Sequence, residues 1–203
     1  RWRRDGVARE HRNPIPGLDN ITVLTPDDVM DGVSPSGSVV IFDDEHYYMG
    51  GVLAEKLRLE GHKVLLVTPA PDISNWTHHT MEQGRIQSRL LGLGVKLATQ
   101  QNLVSVNSTK VELACVFTDR RTRHECDTLV LVTERLPNDE LYHALQARQE
   151  ELTEAGIKTL RCIGDCFAPG IIAASVHSGH LAAREFEDDI PDEVPFRRER
   201  VVV

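Results

Sequence analysis

Val39-Val40-Ile41-Phe42 is an uninterrupted apolar run, the pattern of a short strand covered on both faces. Ser38 to Phe42 therefore reads as a strand and Tyr47 to Glu60 as the helix after it, with Val52, Leu53 and Leu57 at helical spacing and Gly61 as its stop. His62 to Val67 supplies a second apolar strand. Strand, helix and strand in so short a span form a βαβ unit, which commits the chain to parallel pairing. The turn between the first strand and the helix is Asp43-Asp44-Glu45-His46. Where a βαβ unit binds a dinucleotide, this turn is glycine-rich, so that backbone amides approach the pyrophosphate closely. Here three successive carboxylates oppose a polyanion by charge and by bulk. The second strand is followed by Val67-Thr68-Pro69-Ala70, without the acid that NAD ribose needs or the Arg that suits NADP. The acids read as solvated or as caps of the next helix; a cation held by His46 and the carboxylates is the alternative.

The chain has 203 residues, 40% of them hydrophobic and 27% charged, enough for one substantial domain or two small lobes. A net charge of -8 opposes nonspecific binding to nucleic acid or an anionic membrane. No stretch is long and apolar enough to span a bilayer, no signal peptide opens the chain, and a cytoplasmic protein is expected. The start, Arg1-Trp2-Arg3-Arg4, reads as a cut from a longer protein. Cys115, Cys126, Cys162 and Cys166 lack the spacing of a zinc or iron-sulfur run and read as ordinary reduced thiols.

Along the chain, residues 1–31 read as a polar, turn-rich connector containing Pro14-Ile15-Pro16-Gly17. A helix is predicted over Thr80 to Leu91 with Ile86, Leu90 and Leu91 inward, then short strands at Val95 to Ala98 and Leu103 to Val106. Lys110 to Phe117 alternates, Asp119-Arg120-Arg121 makes a basic hairpin tip, and the chain returns through Glu125 to Thr133. Asn138 is the expected N-cap of a helix to about Glu154, with Leu141, Leu145 and Leu152 inward and Gly156 as the stop. Thr159 to Ile163 reads as a strand, Gly164-Asp165 as a turn, Ile171 to Glu187 as a small-residue helix, and 188–203 as a charged tail.

Several segments then fall into one order. Pro14-Ile15-Pro16-Gly17, the strand and helix from Val39, Asp127 to Asn138, and Cys162-Ile163-Gly164-Asp165 resemble the flavoproteins with two dinucleotide-binding domains. In those the third segment normally ends Thr-Gly-Arg-x-Pro-Asn; here Glu134 replaces the glycine. Phe42 to Met49, Leu53 to Leu57, Gly61 to Val64 and Gly164-Asp165-Cys166-Phe167-Ala168-Pro169 narrow the resemblance to the C-terminal region of the trimethylamine, dimethylamine and histamine dehydrogenases. Dienoyl-CoA reductase, a relative of that family, keeps the glycine loop.

The resemblance implies an α/β, Rossmann-like dinucleotide-binding fold with a three-stranded β-meander insert. Residues 1–31 and 137–203 would belong to an FAD or ADP lobe, and 32–136 to a degenerate NAD(P)-binding-like domain. The parent would carry FMN, a 4Fe-4S cluster and ADP or FAD, bound mainly by upstream residues. It would oxidise a small amine and pass electrons to an electron-transferring flavoprotein, as a homo-oligomer. For the chain itself the resemblance implies no turnover, no metal and no catalytic residue. Gly164, Asp165, Gly170 and Ile171 are the candidate cofactor-binding residues, the aspartate accepting from a ribose or ribityl hydroxyl and the amides at 170 and 171 facing phosphate. An enoate-type NAD(P)H reductase and a non-catalytic docking module for an acceptor stay open as alternatives.

Other clusters read as structural. His78 and His79 beside Trp76 sit in a loop or helix start, and Arg120, Arg121 and Arg123 form a solvated face. His177 and His180 share a helix face with no evident third ligand. Arg1 to Arg4 and Arg197 to Arg200 are expected to meet an acidic surface elsewhere in the parent.

Overall fold

The structure is a computed structural model and describes residues 1–9 and 12–186. The chain divides into two compact units, Arg1–Arg135 and Leu136–Val203.

The first unit is built on a five-stranded parallel sheet. Its strands are β1 (Thr22–Leu24), β2 (Ser38–Asp43), β3 (Lys63–Val67), β4 (Lys96–Ala98) and β8 (Thr128–Val132), in the order β1-β8-β2-β3-β4. Residues 102 and 111 lie in a second, antiparallel sheet, β5 (Gln101–Val106), β6 (Lys110–Cys115) and β7 (Arg121–Glu125), in that order. Helices α1 (Pro26–Met30), α2 (Met49–Leu59) and α3 (Gln83–Gly92) complete the unit.

The apolar run at 39–42 is buried on both faces, and alternate residues serve different cores. Val39 and Ile41 of β2 pack with Val130 and Val132 of β8 and with Leu53 and Leu57 of α2. Val40 and Phe42 pack with Leu129 and Leu131 and with Leu103, Val111 and Leu113 of the antiparallel sheet. The parallel sheet is thus a wall between two apolar layers. Each such fully buried Leu, Ile or Phe contributes about 1.5–3 kcal/mol relative to an exposed one.

Several expectations are corrected. The stretch read as a connector holds β1, which pairs in register with β8, and α1, whose Thr25 and Asp28 form a capping box. Ile15 is buried in the core shared with the antiparallel sheet. β4 joins the parallel sheet beside β3, and the third strand of the meander is β7, inside the stretch read as tip and return. Val52 (50% exposed) and Leu91 (54% exposed) face outward, while Leu53, Leu57 and Leu90 are the inward residues of α2 and α3.

The second unit contains α4 (Glu140–Gln146), α5 (Gln149–Glu154) and α6 (Ile172–Arg184). The single helix expected from Asn138 is two: Arg148 leaves helical geometry at φ -113°, ψ 43°, and Asp139 takes the N-cap position of α4. Leu141 is 72% exposed, so the apolar stripe that would hold one long helix has little to pack against. Residues 159–163 are not a strand, because no ladder partner lies beside them among the described residues. Leu152 is the one buried residue among 136–186. The expected helix end at Glu187, the tail and Arg197 to Arg200 lie outside the described residues.

Candidate functional site

In a parallel sheet all strands end on one edge, and the crevice beyond those ends is where open α/β sheets hold ligands. β2 ends here in Asp43, β3 is followed by Thr68 and β8 by Thr133. All three are buried, as are Asp44, His46 and Ser74. The acids at 43 and 44 are therefore not solvated, which corrects that reading. Glu45 alone of the three is partly exposed.

Asp43 Oδ1 accepts the amide N–H of Glu45 at 3.1 Å and of His46 at 3.0 Å. Its Oδ2 lies against Gly50, where a Cβ would come within 2.3 Å. Gly51 packs against Ser74 less tightly, its ideal Cβ 3.0 Å from Oγ. Gly50 and Gly51 lie in the first turn of α2, and the space that Gly50 leaves is filled by the Asp43 carboxyl. Burial pushes Asp43 up to about 7, with the neighbouring amides and His46 opposing that rise.

His46 adopts φ +67°, the left-handed region that a side chain rarely takes. Its Nε2 is 3.1 Å from Asp44 Oδ1, its Nδ1 is 3.3 Å from Thr68 Oγ1, and its carbonyl accepts the Trp76 amide at 2.9 Å. Glu45 reaches Arg135 at 3.5 Å, and Glu134 reaches Arg3 at 3.4 Å. The altered Thr133-Glu134-Arg135 segment thus ties the acidic turn to the chain's first residues, whose Trp2 lies under the Arg135 guanidinium. Part of the Arg1 to Arg4 cluster is satisfied within this unit, with Arg3 on Asp5 and Arg4 on Asp28.

In the second unit, Gly164 has φ +63° and opens a 3-10 turn, Gly164–Cys166. Asp165 Oδ1 accepts the Gly170 amide at 3.2 Å and the Ser175 hydroxyl at 2.7 Å. The turn and the entry to α6 are therefore joined, with Ile171 as the extended residue before the helix. Gly164, Asp165, Gly170 and Ile171 are brought to one place.

The other clusters take structural positions. His78 pairs with Asp72 at 3.2 Å, and Arg9 stacks on Trp76. Arg121 and Arg123 lie on β7 and pair with Glu112 of β6, at 3.0 and 3.1 Å. His177 and His180 are exposed on α6. Among the described residues no three or more His, Cys, Asp or Glu side chains are grouped to hold a metal ion. An iron-sulfur cluster needs four thiolates, and only Cys162 and Cys166 lie together, so these residues do not fit one. No helix among them is long and apolar enough to cross a membrane.

The comparisons with known proteins agree on one group. Residues 24–128 match the model of the OYE-like second alpha/beta domain. Dimethylamine dehydrogenase of Hyphomicrobium sp. (strain x) is 33% identical over 222 residues, covering 98% of this chain and 30% of that protein. Histamine dehydrogenase from Rhizobium sp. 4-9 is 44% identical with a TM-score of 0.92, over 100% of this chain and 32% of that one. The 6-hydroxypseudooxynicotine amine oxidase of Pseudomonas geniculata N1 is 37% identical with a TM-score of 0.85, over 92% of this chain and 28% of its own. The chain therefore spans about a third of the length of these relatives. It belongs to the OYE-like second alpha/beta domain family and, within it, matches the dimethylamine and histamine dehydrogenases.

Proposed function

We propose that this chain is the C-terminal nucleotide-binding-like module of an amine dehydrogenase-type FMN and 4Fe-4S oxidoreductase, and that it is not itself catalytic. The observation that carries the reading is the Asp43 carboxylate, buried against Gly50 and held by two loop amides. A pyrophosphate entering this edge would meet the bulk of that side chain and find its amide donors already engaged. The domain is thus a Rossmann-like unit whose nicotinamide site is occupied by its own side chains. Electrons would enter the parent from an amine at FMN and leave towards an electron-transferring flavoprotein.

The second unit supplies a different half-site. Gly164, Asp165, Gly170 and Ile171 would hold ADP or FAD, with Asp165, pinned by Gly170 and Ser175, receiving a ribose hydroxyl. The nucleotide would supply binding energy and shape rather than chemistry. Exposed Ile172 (84%) supports a role in which this unit packs on the remainder of such a lobe.

Calorimetric titration of the chain with NADH and NADPH tests the sealed edge. No saturable binding is expected up to millimolar nucleotide, and micromolar affinity for either would overturn the reading and favour an enoate-type reductase.

A further inference from the structure

Cys162 and Cys166 bracket the Gly164-Asp165 turn, and their sulfurs lie 3.2 Å apart. The backbone holds them there. Cys162 Sγ is 3.1 Å from the Cys166 carbonyl oxygen, Cys166 Sγ is 3.1 Å from that of Ile163, and the Phe167 and Ala168 amides both return to the Gly164 oxygen, at 3.0 and 2.9 Å. Both thiols are partly exposed and line an open cleft of about 540 Å³ with Tyr142, His143 and Leu181. The other two cysteines belong to the first unit. Cys126 is buried, its thiol pushed up to about 12 by burial, and Cys115 lies on β6.

We propose that Cys162 and Cys166 are a redox-active dithiol that closes to an intramolecular disulfide, with a small disulfide of the glutathione type as oxidant. Closure needs the sulfurs to approach to roughly 2.0 Å, a displacement within reach of side-chain rotation. Cys166 Sγ, as thiolate, attacks one sulfur of the oxidant; a mixed disulfide forms and one small thiolate leaves. Cys162 gives its proton to solvent and attacks Cys166 Sγ, breaking the mixed disulfide and releasing the second small thiolate. Two cysteine thiols are oxidised and one small disulfide is reduced to two thiols. The hydrogen bond with Cys166, together with burial, pushes Cys162 up to about 11. The closed ring would staple the turn carrying Gly164 and Asp165. That consequence rests on the proposed nucleotide site; the disulfide does not.

Arg161 and Arg184 bound a tryptic peptide, residues 162–184, that contains both cysteines and no internal Lys or Arg. The full chain is incubated with oxidised glutathione, remaining thiols are alkylated in denaturant, and this peptide is weighed. The expected peptide carries no alkyl group, is lighter than the reduced one by two hydrogens, and reverts with dithiothreitol. Cys162→Ser should stop at a glutathione adduct on Cys166. Alkyl groups on both cysteines after incubation, or a separate glutathione on each, would overturn the dithiol. A Cys162→Ser chain with no adduct at Cys166, together with a Cys166→Ser chain with none at Cys162, would overturn it as well. The readout is mass alone, so failure of the nucleotide reading leaves this result distinguishable.

Discussion

Asp43 ends β2 at the carboxyl edge of the parallel sheet, and its carboxyl is fully removed from water. Its ordinary value is about 3.9, and in the folded chain it is raised to about 7. Between those values the folded state holds a proton that the unfolded state has lost. The stability from neutral Asp43 is therefore fully present below about pH 4 and is lost as pH rises through about 7. Asp43→Asn keeps an acceptor for the Glu45 and His46 amides but cannot ionise. Urea denaturation followed from pH 4 to 8 should show a decline in the parent chain that is flattened in the variant, with the variant the more stable at pH 8. An unchanged pH profile would mean that Asp43 does not titrate in this window. The charge and place of this turn were legible in the sequence, but its burial was not. Burial depends on Gly50 of α2 closing on Asp43 and on β3 and β8 ending beside β2, contacts between elements distant in the sequence. The dithiol was hidden for a similar reason: an x3 spacing excludes a metal run without revealing that a left-handed Gly164 folds the sulfurs together.

Elements with a strong local period were readable. β2, β3 and β8 carry central apolar runs and lie where those runs predict, because burial of such a run leaves little room for another arrangement. Helix faces were less secure at their edges, since one step along a helix turns a side chain by about a quarter of the circumference. Leu90 and Leu91 show the difference, the first buried and the second half exposed. Leu90→Ala should cost about 2–5 kcal/mol, and Leu91→Ala less than about 1 kcal/mol, in chemical denaturation monitored by circular dichroism. Equal losses would mean that α3 is rotated from its described face. The break at Arg148 and the unpaired 159–163 segment were beyond local reading. Both reflect missing packing partners, which no propensity encodes.

The two units differ in how they are held together. Unit one has two apolar layers around a sheet, whereas residues 136–186 bury Leu152 alone. Amide hydrogen exchange of the isolated chain should therefore be slowest in β2, β3 and β8, and faster by several orders of magnitude in α4 to α6. Matching protection in both units would contradict this division. The strand order carries one more consequence, for synthesis. β8 is the last strand of the parallel sheet in the chain and lies between β1 and β2, so β1 has no neighbour until residue 132 has emerged. A nascent chain, or one truncated before that point, would present two open strand edges at the middle of its sheet, where a second copy could add in place of β8.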